Sequence, residues 1–349
     1  MQSQEWLSSY RPTRVPRGRI LVTGAAGFLG SALIWALNRA GESDILASDR
    51  LKRSSKFLNL IPLSFQDYSD ADDLLDRLRK HGLRHYGPVT TVIHLGACSA
   101  TTEPDAQYLL RNNYEFSKEI AAATLAESAR FVYASSAATY GKEEDVLDDT
   151  AALRSLRPVN MYAYSKHLFD LHAEREGFLA QVVGLKYFNV FGPNEAHKGE
   201  MRSIVAKAYE QVLAEGTVQL FRSHRPEYRD GEQRRDFLYV KDAVDMTLYL
   251  AALPEAGGLY NIGSGQAQTW NTLVGHLFEA MGRTPNITYV AMPELLRPAY
   301  QYSTIASLAR LRASGYSREI TSLRDAIFDY LPYLREERKL DPARDGGAL

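Results

Sequence analysis

Short apolar runs alternate with helical patterns through the first half of the chain. The runs are Ile20-Leu21-Val22, Ile45-Leu46-Ala47-Ser48-Asp49, Val92-Ile93-His94-Leu95, Phe131-Val132-Tyr133-Ala134 and Val182-Val183-Gly184-Leu185. A weaker run near Leu63 to Asp67 predicts the third strand of the series. Helical stretches fall between, among them Ser31 to Ala40, Asn113 to Glu127 and Tyr164 to Arg175. This alternation predicts an α/β protein whose parallel sheet carries helices on both faces. After Gly192-Pro193 the rhythm changes. Arg222 to Arg235 is rich in charge, holds Pro226 and Gly231, and reads as a long loop. Asp236-Phe237-Leu238-Tyr239-Val240 then reads as a strand returning to the first domain.

A second, smaller α/β domain is therefore expected to be built from interleaved C-terminal segments. The expected bounds are 1–18 for an N-terminal extension and 19–190 plus 236–262 for a nucleotide-binding domain. A substrate domain takes 191–235 plus 263–335, and 336–349 forms a tail, charged and then glycine-rich, that frays. The 349 residues, 45% of them hydrophobic, suffice for one large domain or two interleaved ones. A net charge of −1 and a pI near 6.7 give no basic stripe for nucleic acid or an anionic membrane. No apolar run approaches the roughly 20 residues of a membrane span. The single cysteine, Cys98, excludes an internal disulfide and fits a reducing, cytoplasmic compartment. Residues 1–18, with Arg11, Arg14, Arg17, Pro12 and Pro16, lack the apolar stretch of a signal peptide. They read as an extension, partly disordered or packed on the surface. His81, His85, His94, His167 and His172 form no convincing metal-ligand set.

Two motifs carry chemistry. Gly24-Ala25-Ala26-Gly27-Phe28-Leu29-Gly30 follows the first strand and opens a helix. That placement puts backbone amides and a helix N-terminus against a pyrophosphate, with glycine allowing the tight turn and close approach. Far downstream, Tyr162 and Lys166 stand four apart and share one helix face. A free phenol, with a pKa of about 10, is too weak a base at neutral pH. A nearby ammonium and a cationic nicotinamide ring would both favour phenolate. Together the motifs point to hydride exchange at a carbon bearing a hydroxyl. Asp49 ends the second strand, where an acid would hold a ribose diol and favour NAD. Arg50, Lys52, Arg53 and Lys56 follow and could hold a 2′-phosphate, favouring NADP. Of these, Arg50 and Lys56 are read toward phosphate contact and Lys52 and Arg53 as solvated. Asp67 either reaches the adenine or caps a helix.

With Ser135-Ser136 after the fifth strand, these residues resemble the extended short-chain dehydrogenase/reductases, with a Rossmann-type doubly wound sheet. Further strings narrow the likeness: Gly96-Ala97-Cys98-Ser99, Asn112-Asn113-Tyr114, Ser135-Ser136-Ala137-Ala138-Thr139-Tyr140-Gly141, Lys186 to Pro193, and His197-Lys198-Gly199. Over about 19–333 the chain is similar to the ADP-L-glycero-D-manno-heptose 6-epimerases of lipopolysaccharide core synthesis. The likeness implies an isomerase using tightly held NADP, with NAD the other possibility, on a nucleotide-sugar substrate. C6 of the heptose is oxidised to a ketone, the ketone turns, and it is reduced on its other face. Because the oxygen then lies elsewhere, two bases serve the two epimers. By the match these are Tyr162 and Lys198, with Ser136 bonding the reacting oxygen and Lys166 holding a ribose hydroxyl.

The same likeness implies cofactor contacts from Gly24, Gly27, Phe28, Leu29, Gly30, Asp49, Arg50 and Lys56. It adds Leu95, Gly96, Ala97, Cys98, Ser99, Asn112, Lys166 and Val190. Substrate contacts are implied for Asn189, Glu200, Lys207, Phe221, Arg222, Ser223, His224, Arg235 and Tyr300. A homo-oligomer, as a pentamer, is implied too. The chain departs from the family pattern in Leu95, usually glutamate, in Arg50, often asparagine, and in Glu200, usually serine or another non-acidic residue. An acid at 200 must point away from a diphosphate or pair with Arg202. A sugar dehydratase would need an acid pair where Ala137 and Ala138 stand. A UDP-hexose 4-epimerase would leave Lys198 without a role. A silent NADP-binding sensor would not be expected to keep both Tyr162 and Lys166.

Overall fold

The apolar runs meet in one seven-stranded parallel sheet. The computed structural model describes residues 6–7, 9–294, 297 and 300–345. Its strands are β1 (Arg19–Thr23), β2 (Ile45–Asp49), β3 (Asp67–Asp70), β4 (Val89–His94), β5 (Arg130–Ser136), β6 (Asp145–Leu147) and β7 (Val183–Tyr187). Then come β8 (Asn189–Phe191), β9 (Val218–Phe221), β10 (Arg234–Tyr239), β11 (Gly258–Ile262), β12 (Ala267–Thr269), β13 (Ile287–Val290) and β14 (Thr304–Ala306). The large sheet runs β11-β7-β5-β4-β1-β2-β3, parallel at every pairing. Order reverses between β1 and β4, so a crevice opens beyond their carboxyl ends, where open α/β sheets bind ligands.

The longer helices are α1 (Phe28–Arg39), α2 (Ala71–His81), α3 (Phe116–Ala126), α4 (Met161–Arg175), α5 (Ile204–Glu215), α6 (Val240–Ala251), α7 (Trp270–Ala280) and α8 (Leu323–Arg335). Strand alternation divides the core into two layers. Ile20 and Val22 pack with Leu33 and Leu37 of α1 and Val244 and Leu248 of α6. Leu21 and Val92 pack on the other face with Leu74 of α2, Ile120 of α3 and Phe169 of α4. Helix α6 is buried along its whole length, which its polar residues Lys241, Asp242 and Asp245 conceal in the sequence.

Three expectations need correction. The third strand begins at Asp67 instead of ending there. Its sequence, Asp-Tyr-Ser-Asp, is polar because it is an edge strand, while the apolar Leu60 and Leu63 are buried in the approach to it. Asp67 is exposed and its side chain accepts from the neighbouring Tyr68 amide, while Asp70 caps α2. The 236–240 strand does not join the large sheet. As β10 it pairs with β8 and β12 in a three-stranded sheet, and α6 and β11 return to the large one. An apolar run shows that a strand exists, not which strand is its partner.

The charged end of the chain also packs. Leu340 is fully buried and its amide donates to Asn194 Oδ1 at 2.9 Å, while Arg39 donates to the Pro342 carbonyl. Of the 336–349 segment, 346–349 lie outside the described residues. At the other end Tyr10 is buried against Trp35, ring centres 4.4 Å apart, and the Thr13 hydroxyl donates to Asp245.

Candidate active site

The glycine loop is shaped for a close backbone approach. Gly24 has φ +70°, and a Cβ there would stand 2.7 Å from the Gly96 nitrogen. A Cβ on Gly30 would stand 2.0 Å from the Gly24 carbonyl oxygen. Gly27 heads α1 without a side-chain cap, so the positive helix end, with Phe28 and Leu29, stays open to an anion. The Asp49 carboxylate accepts from the Ala26 and Arg50 amides and from Lys56 Nζ at 2.6 Å. Arg50 is tied to Asp72 and to Asn112 Oδ1. It therefore faces a carboxylate in this structure, through an exposed pair that is easily exchanged. These features fit a dinucleotide.

The second wall of the crevice runs from Leu95 through Gly96, Ala97 and Cys98 to Ser99. Asn113 holds it: Oδ1 accepts from the Cys98 amide at 2.8 Å, and Nδ2 donates to the Cys98 carbonyl and to Ser165 Oγ. Asn113 lies in a wide π turn, Leu110–Glu115, that flows into α3. Such turns are frequent at functional sites. Leu95, in place of the family's glutamate, packs against the core.

Tyr162 sits in the first turn of α4, whose N-terminus is capped by the Asn160 side chain accepting from the Ala163 amide. Burial pushes its phenol above the usual tyrosine range, partly offset by a hydrogen bond with Ser136. The expected lowering by Lys166 does not occur here. The Lys166 ammonium donates to the Ala134 carbonyl at 2.9 Å, and burial brings its pKa down to about 8 against the pull of Asp170. Ser136 is buried at the end of β5, its hydroxyl accepting from the Ala138 amide.

Lys198 comes from a different element, the 3-10 segment Ala196–Met201. The buried Glu195 organises that segment, accepting from the Gly192 amide, the Ser203 amide and hydroxyl, and the Tyr330 hydroxyl. Asn194, at φ 76°, bonds Ser31, Leu340 and, through its carbonyl, Asn59. Lys198 Nζ lies 4.9 Å from the Phe28 ring centre and makes no ion pair among the described residues. Burial lowers its pKa, with Glu195 opposing.

One cleft of about 420 Å³ gathers these groups, within the range of small-ligand sites. Ser99, Ser136, Tyr162, Asn189, Val190, Lys198 and Arg235 all line it. Arg235 does not pair with Asp236, whose buried carboxylate accepts from Ser264, Gly265 and Ala306 amides. Its guanidinium stands 5.0 Å from the Tyr300 ring and 5.9 Å from Trp270, whose indole donates to the Tyr300 hydroxyl. Burial lowers the Arg235 pKa. An anion entering the cleft would thus meet a poorly solvated cation. The remaining expected contacts lie outside the lining. Glu200 projects into solvent and pairs with Lys207, while Arg202 pairs with Glu210. Phe221 ends β9, Arg222 is exposed, and Ser223 and His224 are bound to Asp230 and Tyr302.

Residues 20–263 match the NAD dependent epimerase/dehydratase family. The chain belongs to this family. A curated relative from Nitratidesulfovibrio vulgaris (strain DP4), named ADP-L-glycero-D-manno-heptose-6-epimerase, is 47% identical over 89% of this chain and 96% of its own. One from Alkalilimnicola ehrlichii with the same name is 41% identical over 93% of this chain and 100% of its own. The solved Helicobacter pylori ADP-L-glycero-D-manno-heptose-6-epimerase superposes with a TM-score of 0.75 at 27% identity, covering 91% of this chain and 96% of that one. Within this epimerase/dehydratase frame a nicotinamide cofactor and a Rossmann-like sheet are shared property. No described helix is long and apolar enough to cross a membrane. Sequence reasoning assigned no role to Trp270, which lines the cleft, or to Asn113 as the clamp. A tryptophan opening a helix carries no sequence signal of its own, and Asn113 differs from Asn112 only in which way its turn points it.

Proposed function

We propose that this protein inverts C6 of ADP-D-glycero-D-manno-heptose, giving the L-glycero epimer, through a ketone. The carrying observation is that Tyr162 and Lys198, from separate elements, line one cleft with Ser136. A carbinol can be approached there by either base, as inversion requires. The names of relatives 40–47% identical over nearly the whole chain support the sugar and nucleotide. The glycine loop, the 95–99 wall, Lys166 and Val190 would hold a nicotinamide dinucleotide, which when bound would supply the hydride acceptor and donor. Tyr162 takes the hydroxyl proton of one epimer, Ser136 steadies the reacting oxygen, and Lys198 exchanges the proton of the other. Arg235, with Trp270 and Tyr300, receives the diphosphate end. Ala137 and Ala138, at the cleft, supply no acid for a dehydration. NADP is favoured because Lys56 already neutralises Asp49 and Arg50 can leave the exposed Asp72 for a 2′-phosphate. The reading includes a homo-oligomer in the cytoplasm.

The test is incubation of purified protein with the D-glycero substrate and NMR resolution of the two C6 epimers. A mixture of both is expected. An unchanged single epimer, with cofactor shown to be bound, would rule the reading out.

A further inference from the structure

Behind the cleft lies a buried ion pair that the proposed chemistry does not use. Asp170 and Lys186 are 0% and 1% exposed, with Lys186 Nζ 3.2 Å from Asp170 Oδ2. Asp170 is one turn after Lys166 on α4, and Lys186 stands on β7. The same carboxylate accepts from Tyr133 at 2.9 Å and from Ser135 at 2.8 Å, both on β5. Lys186 also donates to the Thr139 hydroxyl, which in turn donates to the Ser136 carbonyl at 2.8 Å. Between these contacts Lys166 donates to the Ala134 carbonyl. Residues 133–135 are thereby fastened directly to α4, and Ser136 is held from its other side through Thr139 and Lys186. Breaking a buried pair is costly, yet such a pair adds little stability over apolar packing. Its retention beside a working ammonium calls for another reason.

We propose that Asp170, anchored by Lys186, is a positioning residue that sets the place of Ser136 against Tyr162 and of the Lys166 ammonium beside β5. This rests on the reading of Tyr162, Ser136 and Lys166 given above. The charged or titratable groups that act on Lys166 come from several elements: Asp170 on α4, His94 on β4 and Cys98 beyond it. Burial disfavours its charged form, and Asp170 and Cys98 oppose that, Asp170 the more. Asp170 alone among these is a carboxylate. Removing its charge leaves the ammonium to lose its proton at lower pH.

The experiment compares native protein with Asp170→Asn, Asp170→Glu and the charge-balanced double variant Asp170→Asn with Lys186→Met, all with cofactor bound. Lys166 titration is followed by carbon NMR of labelled lysine without any sugar, beside the pH profile of epimerisation. In Asp170→Asn the Lys166 midpoint should fall by about one unit, and turnover on the alkaline side by about tenfold. Asp170→Glu should restore much of both. If the single variant does not fold, the double variant supplies the measurement and should also titrate below native. An unchanged midpoint and an unshifted pH profile would overturn the proposal, leaving Asp170 a packing role only. Failure of the native protein to epimerise would sink the functional reading instead, because the titration uses no substrate.

Discussion

The cleft holds its two proposed bases in opposite ways. Tyr162 rides the first turn of a long, capped helix braced by a buried carboxylate, Asp170. Lys198 rides a short 3-10 segment braced by another, Glu195. Burial acts on both but in opposite senses. It disfavours charge, so it pushes the phenol away from phenolate and the ammonium toward the free amine. The protein alone therefore arms Lys198 and disarms Tyr162. In the proposed reaction Tyr162 would take its activating cation from the cofactor, and Lys166 would exchange its bond to the Ala134 carbonyl for one to the ribose.

Breaking the Tyr162 end should cost the most. Tyr162→Phe should lower turnover by about 10³-fold or more while cofactor content stays native; near-native rates would remove the phenol from the mechanism. Lys198→Met should follow, with a loss of about 10²–10³-fold in epimerisation. Because one base remains, hydride transfer from C6 of one epimer to the cofactor, read as the absorbance of the reduced nicotinamide, should survive better than inversion, and equal loss of both would contradict two separate bases. Gly30→Ala acts on neither base. With its Cβ placed 2.0 Å from the Gly24 oxygen, the loop must shift, so cofactor content and Tm should drop together. Unchanged cofactor content would show that the loop yields without consequence.

The smallest effect is on acid stability. His94 is buried between the Thr23 and Ser117 hydroxyls, and burial lowers its pKa from 6.5 to about 3. The unfolded chain binds the proton more readily, so His94 contributes stability that is full above pH 6.5 and lost toward pH 3. His94→Gln should make the fall of Tm below pH 6.5 shallower; an equally steep fall would assign the acid sensitivity elsewhere.

Most of the large sheet was legible because its interior strands are apolar runs between helical stretches. The polar edge strand at Asp67–Asp70 was not, since an edge strand needs no such run. Tyr162, Ser136 and Lys198 stand out in their strings and Arg235 at the end of the charged loop, and one cleft collects all four. Glu200 takes the first of its two expected alternatives, pointing into solvent and pairing with Lys207, while Arg202 pairs with Glu210. Asn113 and the Asp170–Lys186 pair were hidden, since nothing in composition says which of several polar side chains turns inward.

Asn194 joins the first helix, the 59 region and Leu340 at a left-handed turn just before the segment of Lys198. Shortening the chain after Arg335, or burdening that end with a bulky fusion, would therefore reach the second amine from behind. An apparently harmless choice of purification tag would then be read out as lost stereochemical inversion with hydride chemistry still intact.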